Sequence, residues 1–132
     1  MTGLPLVLDT TVLIDALRGR PAADRVRDLA DRGELLVTTA VNVEEIIRGL
    51  RPAEQEAADN LLTALRIVPI RRKEAERAGR WRREFAARGV TLHQADCLIA
   101  SGAFSAGGRL ATANVKDFPM QGLTVEEWVV GG

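Results

Sequence analysis

The feature that most constrains the fold is a short apolar run, Leu6-Val7-Leu8, which ends at Asp9 and is followed at once by Thr10 and Thr11. A run that is apolar at every position is typical of a strand buried on both faces, and Asp and Thr commonly begin helices. Asp9 is thus predicted at the carboxyl end of a core strand. In open α/β sheets ligands bind at this edge, because strand ends and helix N-termini converge there. Asp9 could cap a helix or belong to a functional site, and the positions of other acids help to choose between these interpretations.

Short apolar runs alternate with helical patterns along the rest of the chain. We expect helices from Thr10 or Thr11 to about residue 18 and over 22–32, 40–50, 53–66, 71–88 and 92–104, with further strands at 35–39, 67–70, 109–112 and 123–125. Such alternation indicates parallel strands joined by right-handed crossovers. The predicted fold class is α/β, with a central, mostly parallel sheet of four to five strands and helices on both faces. Because proline lacks a ladder donor, the strand that contains Pro69 should lie at an edge of the sheet or end at Pro69.

The length and composition set limits on the class of protein. A chain of 132 residues can bury about two-thirds of the surface that its unfolded form exposes. The single cysteine, Cys97, cannot form an internal disulfide, and we expect it in the core. No leader-like segment begins the sequence, and no apolar run reaches the ~20 residues that span a membrane. We expect one domain over residues 1–132, in the cytoplasm and without a membrane partner.

Asp96 interrupts an apolar face. At helical spacing it lies in a stripe with Leu92, Ala95, Ile99, Gly102 and Ala103. An unpaired buried charge costs several kcal/mol, on the order of 3 to 5. The compensating group is an arginine, a set of backbone donors, or a cation shared with other carboxylates. His93 lies three residues earlier, and a capping or surface position is the expectation for it.

Other acids follow predicted strands in the same way. Glu44 and Glu45 lie near the start of the third helix. Helical periodicity does not choose between them, because both lie outside the expected apolar stripe of Val43, Ile46, Ile47 and Leu50. Asp117 comes soon after the strand that ends at Thr112. In a parallel sheet these positions share one edge with Asp9 and Asp96. Clustered carboxylates without a cysteine or histidine set favour Mg²⁺ or Mn²⁺, and such an ion can activate water for attack on a phosphodiester.

The segment from Arg71 to Arg88 is rich in positive charge, although the formal net charge of the chain is zero. It contains eight basic and three acidic residues. At helical spacing Ala78, Trp81 and Phe85 form an apolar stripe, and Arg77 and Arg80 lie on another side. One explanation is a solvated helix face. The other is a track for a nucleic-acid backbone, on which Arg77 and Arg80 would bind phosphate near the acidic cluster.

With these residues in place, the sequence resembles the PIN-domain ribonucleases, and specifically the VapC-type toxins of bacterial toxin–antitoxin pairs. Four motifs carry the resemblance: Leu6 to Ile14 with Asp9 and Thr10; Glu44-Glu45-Ile46-Ile47-Arg48-Gly49; Asp96-Cys97-Leu98-Ile99-Ala100; and Thr112, Asn114, Asp117 and Phe118. The resemblance selects Glu45 over Glu44. Cys97 stands where alanine is usual. The last carboxylate of the family falls at the position of Asn114 or of Asp117, and with asparagine at 114 we expect Asp117.

The resemblance implies Mg²⁺-dependent endoribonuclease activity, a homodimer, and inhibition by a cognate antitoxin. It implies that Asp9, Glu45, Asp96 and Asp117 hold the metal, which Mn²⁺ can replace, and that Thr10, Thr112 and Asn114 support these ligands or contact the RNA. The rival classes are a non-catalytic PIN-fold binding module and a phosphotransfer fold. The phosphotransfer fold fits poorly, since Asp9-Thr10-Thr11 lacks the second aspartate of the dehalogenase motif.

Overall fold

The structure is a computed structural model that describes residues 3–131. Over these residues a five-stranded sheet has the order β3-β2-β1-β4-β5, and each neighbouring pair is parallel. The strands are β1 (Leu6–Leu8), β2 (Leu36–Thr39), β3 (Arg66–Val68), β4 (Arg109–Thr112) and β5 (Thr124–Glu127). The helices are α1 (Thr10–Leu17), α2 (Pro21–Asp31), α3 (Ala40–Arg48), α4 (Gln55–Ala64), α5 (Arg72–Ala87) and α6 (Gln94–Ser105). Two 3₁₀ turns lie at Pro52–Glu54 and Val115–Asp117.

Both faces of the sheet are covered, which confirms the predicted fold class. Successive side chains of a strand point to opposite faces, and in β1 Val7 belongs to one buried cluster whereas Leu6 and Leu8 belong to another. The first cluster includes residues of α5 and α6, and the second includes residues of α1, α2, α3 and α4. All three residues of β1 are 1% exposed or less.

The strand order places the start of two helices beside each other at one edge of the sheet. β1 lies between β2 and β4, and α1 and α3 begin directly after β1 and β2, with Asp9 and Thr39 as their N-cap residues. The carboxyl end of β4 lies next to that of β1, where Leu8 pairs with Ala111. Residues that follow these three strands therefore meet at the predicted edge.

Several element boundaries differ from the sequence-based expectation by one or two residues, for example those of β3 and α6. The strand expected at 67–70 begins at Arg66, because Arg66 pairs with Val37 of β2, and α4 ends at Ala64. This strand is an edge strand that ends before Pro69, as predicted. α6 begins at Gln94 instead of residue 92, with His93 as N-cap.

The apolar stripe expected on α3 is only partly buried. Ile46 is 1% exposed, but Ile47 is 46% exposed. Residues one apart on a helix point about 100° apart, and the buried side of this short helix is centred on Asn42 and Ile46. Within residues 3–131, no helix has both the length and the apolar character needed to cross a membrane.

Candidate active site

Asp9 lies at the centre of the carboxyl edge and is 5% exposed. Its Oδ2 accepts hydrogen bonds from Thr112 Oγ1 at 2.7 Å and from Thr11 Oγ1 at 3.3 Å. Its Oδ1 accepts one from Asn42 Nδ2 at 3.2 Å. Burial raises the pKa of Asp9, and the charge of Glu45 acts in the same direction, although hydrogen bonds from the two threonines and the Thr10 backbone oppose the rise. The carboxylate is therefore held in place but poorly compensated.

Glu45 approaches Asp9 from α3, and its neighbour Glu44 does not. Thr10 Oγ1 donates to Glu45 Oε1 at 2.6 Å, which ties α3 to the start of α1. The Glu44 side chain is 65% exposed and lies 3.8 Å from Arg48 in an exposed ion pair. Geometry thus separates two adjacent acids that periodicity could not.

Asp96 is half-buried in the first turn of α6. Its pKa is raised to about 6, and burial is the largest cause. The charges of Asp117, Asp9 and Glu45 also raise the pKa, whereas the charge of His93 lowers it. Charges in a protein act on one another strongly only over short distances. The four carboxylates predicted from the sequence therefore share one electrostatic neighbourhood.

The segment after β4 supplies the remaining predicted residues. Thr112 is fully buried and donates to Asp9, and Asp117 is half-buried in the 3₁₀ turn Val115–Asp117. Asn114 is exposed, and its backbone N–H donates to Thr112 Oγ1 at 3.0 Å. Thr112 therefore links this segment to Asp9.

Asn42 contacts the predicted site but was missed in the sequence. It is fully buried in the first turn of α3, and its Nδ2 donates to Asp9 Oδ1 at 3.2 Å and to Thr10 Oγ1 at 3.0 Å. In the first turn of α3 only the acids were predicted as site residues. The available signal was the capping pattern Thr39-x-x-Asn42, which places a polar side chain just past the end of β2.

The structure does not bring Arg77 to the acidic residues. Arg77 Nη1 donates to Ser101 O at 2.9 Å, to Ser101 Oγ at 3.1 Å and to Ser105 Oγ at 3.0 Å. Ser101 and Ser105 are five and nine residues beyond Asp96, or roughly 7 to 14 Å along the helix axis. Arg80 is exposed. RNA binding by these two arginines stays a prediction.

Neither of the other two reactive side chains on α6 fits a nucleophile or a ligand set. Cys97 is fully buried, and burial raises the pKa of its thiol to about 11, so it remains protonated at neutral pH. His93 is exposed at the N-cap and makes no side-chain cap hydrogen bond. It acts on Asp96 through its charge.

The chemistry of the donor set suits a hard divalent cation. Within residues 3–131, none of the four carboxylates forms an ion pair with lysine or arginine. Among the same described residues, no three acidic, histidine or cysteine side chains lie close enough together to hold one ion directly. Mg²⁺ keeps several water ligands and binds through one or two carboxylates, so a loose carboxylate group fits it and would not fit zinc.

Comparison with known proteins agrees with the geometry. The model of the PIN domain family matches residues 6–119. Ribonuclease VapC10 of Mycobacterium tuberculosis is 35% identical over 115 residues, which cover 87% of this chain and 86% of that protein. Ribonuclease VapC19 of the same species is 30% identical over 86% of this chain and 92% of that protein.

Solved structures share the fold. A chain in the crystal structure of VapBC2 from Rickettsia felis, bound to a DNA fragment from the promoter, has a TM-score of 0.84 at 23% identity and covers 96% of this chain and 100% of its own. A chain of DNA-bound VapBC from Salmonella typhimurium has a TM-score of 0.80 at 23% identity, with 96% and 99% coverage. The protein described here therefore belongs to the PIN-domain family. Within that family it is of the VapC type, as its four motifs predicted.

Proposed function

We propose that this protein is a Mg²⁺-dependent endoribonuclease and the toxin of a toxin–antitoxin pair. The observation that carries the proposal is that Asp9, Glu45, Asp96 and Asp117 lie near one another at one sheet edge. The charge of Glu45 raises the pKa of Asp9, and the charges of the other three acids raise the pKa of Asp96. None of the four has an arginine or lysine partner among the described residues. VapC10 and VapC19, which are named ribonucleases, support the reaction class.

One or two of the four carboxylates would bind the metal directly and the others through its water ligands, and the residues around them fix their orientation. A bound divalent cation lowers the pKa of a water molecule and neutralises charge on the phosphodiester. Thr112 holds Asp9, and Thr10 holds Glu45, so these threonines act on the reaction through the carboxylates. Asn114 is exposed beside them and is the proposed contact to phosphate.

The RNA backbone is proposed to approach over α5. Arg80 is exposed, whereas Arg77 is occupied by α6. Arg80 is therefore the proposed phosphate contact that this helix leaves open to the RNA.

The proposed partners are a cognate antitoxin, RNA and a second copy of the chain, in the cytoplasm. VapBC complexes among the fold relatives support the antitoxin. The alternative function is a non-catalytic PIN-fold module that binds RNA or protein. It predicts RNA binding without cleavage at any metal concentration.

The test compares the cleavage of an RNA substrate during Mg²⁺ and Mn²⁺ titration. Asp9→Asn and Asp96→Asn should lower kcat/KM at least about 100-fold, since each removes a charged oxygen from the proposed metal site. Glu45→Gln should do the same, whereas Glu44→Gln, its exposed neighbour, is the matched control and should retain parental activity. Parental cleavage by both aspartate variants would refute the metal-nuclease proposal, and cleavage that persists in EDTA would refute metal dependence.

A further inference from the structure

We propose that Asn42 is a positioning residue of this site, whose amide orients the Asp9 carboxylate and the Thr10 hydroxyl for metal binding. The proposal rests on the metal-dependent nuclease function given above. Asn42 lies outside the four motifs, is 0% exposed, and contacts both groups directly.

The orientation of the Asn42 amide follows from its partners. The backbone N–H of Thr39 can only donate, and it lies 3.1 Å from Asn42 Oδ1. The oxygen must therefore face Thr39, whose Oγ1 also donates to it at 2.7 Å. The Nδ2 group then faces the site, where its two hydrogens match two acceptors, Asp9 Oδ1 and Thr10 Oγ1. Every hydrogen-bonding position of the amide is used.

The contact to Thr10 extends the effect to Glu45. Because Thr10 Oγ1 accepts from Asn42, its own hydrogen is directed to another group, and it donates to Glu45 Oε1 at 2.6 Å. Asn42 thus acts on Asp9 directly and on Glu45 through Thr10. A single buried side chain fixes two of the proposed ligands, Asp9 at the N-cap of α1 and Glu45 on α3.

The contact to Asp9 completes a set of donors that holds both of its oxygens. Oδ1 accepts from Asn42, and Oδ2 accepts from Thr11 and Thr112. Donors on both oxygens prevent rotation of the group. Without Asn42, Oδ1 would lose its side-chain donor and the carboxylate would turn about Oδ2. Residues that support metal ligands in this way typically change metal affinity or activity by about 10- to 100-fold.

The experiment measures Mn²⁺ binding by calorimetry in the full chain without RNA, together with kcat and KM for a defined RNA. Asn42→Ala should weaken Mn²⁺ binding by about 10- to 100-fold and lower kcat, with the KM for RNA at saturating Mn²⁺ within twofold of the parent. Asn42→Leu keeps the side-chain volume without the amide and should behave in the same way. If Asn42→Ala does not fold, Asn42→Leu provides the test of the positioning role.

Glu74→Ala is the matched control. Glu74 is also a buried N3 residue of a capping box, since it accepts from the Arg71 backbone N–H at 2.9 Å, but it lies on α5 and contacts Ser105. This variant should lose stability and bind Mn²⁺ as the parent does. Equal weakening of Mn²⁺ binding by the Asn42 variants and Glu74→Ala, or no weakening by the Asn42 variants, would overturn the positioning role.

Asp9→Asn separates this proposal from the one on which it rests. If Asp9→Asn abolishes Mn²⁺ binding and the Asn42 variants do not weaken it, only the role of Asn42 is wrong. If Asp9→Asn binds Mn²⁺ as the parent does, the acidic metal site itself is wrong, and the role of Asn42 is overturned with it.

Discussion

Asp9 and Asp96 each carry a charge that the fold does not fully compensate. Burial is the largest cause of the raised pKa of both residues, and neighbouring carboxylates add to it. Structural ion pairs shift carboxylate pKa values downward, as Arg18 does for Glu54. An upward shift in a group of acids at a sheet edge is typical of a functional site.

The raised pKa of Asp96 predicts a pH-dependent stability in the absence of metal. An acid whose pKa rises on folding, here from 3.8 to about 6, binds its proton more tightly in the folded chain. The contribution of Asp96 to the free energy of unfolding is therefore greatest below about pH 4 and falls as the pH rises to about 6. Asp96→Asn removes the ionisation and should gain about 1 kcal/mol, or roughly 4 °C in Tm, at pH 7.5, after allowance for solvent screening of this half-buried group.

Thermal melts in EDTA at pH 4 and pH 7.5 check this prediction. The difference in Tm between Asp96→Asn and the parent should appear at pH 7.5 and vanish at pH 4. Asp59→Asn, exposed on α4, is the control variant. A difference of the same size at both pH values would contradict the stated cause.

Residue-level prediction from sequence was specific only where a motif identified a position. Spacing alone left Glu44 and Glu45 equivalent, since both lie outside the apolar stripe. In the structure the hydrogen bond from Thr10 to Glu45 and the exposed ion pair of Glu44 distinguish them. Asn42 was missed for a physical reason. A neutral side chain shows its role only through the partners that the fold brings to it, and these lie more than thirty residues away in sequence.

At the scale of elements, the packing of α5 on α6 uses part of the basic charge that suggested RNA binding. Arg77 contacts two serines of α6, its guanidinium lies 4.4 Å from the centre of the Phe104 ring, and Ser105 Oγ donates to the buried Glu74 at 2.6 Å. Periodicity placed Arg77 outside the apolar stripe but could not show that α6 offers acceptors there. Boundary errors have a similar origin, because the start of β3 depends on its pairing with β2.

This packing predicts different effects for two arginines three residues apart. Arg77→Ala should lower the free energy of unfolding by about 1–3 kcal/mol, because it leaves hydrogen bonds at Ser101 and Ser105 unmade. Arg80→Ala, at an exposed position, should change it by no more than about 0.5 kcal/mol. Urea denaturation measures both values, and equal losses would contradict the assigned contacts.

The Arg80→Ala variant also tests the proposed RNA-binding surface on α5. In an Asp9→Asn background, which should leave the RNA intact, Arg80→Ala should weaken RNA binding and reduce the dependence of log K on log salt by about one unit. An unchanged salt dependence would assign the exposed part of α5 to a solvated face.

At the scale of the whole molecule, the sequence predicted the architecture because its strong signals were all local. Apolar runs, helix caps and breaks fixed the alternation of elements, and the right-handed crossover rule left few topologies. The strand order was not local information. It places β1 between β2 and β4, and it thereby turns acids that are far apart in sequence into one group of charges.

Because this group of like charges is built into the sheet edge, divalent metal should stabilise the entire fold. A ligand that binds only the folded chain, at 100 times its Kd, adds about 2.7 kcal/mol to the free energy of unfolding, or roughly 10 °C in Tm at this chain length. Mn²⁺ should produce this rise in the parent, EDTA should reverse it, and the double variant Asp9→Asn/Asp96→Asn should not respond. NaCl at matched ionic strength is the necessary control, since screening alone weakens repulsion between carboxylates. An equal rise in NaCl, or in the double variant with Mn²⁺, would mean that the charges are screened without a bound ion.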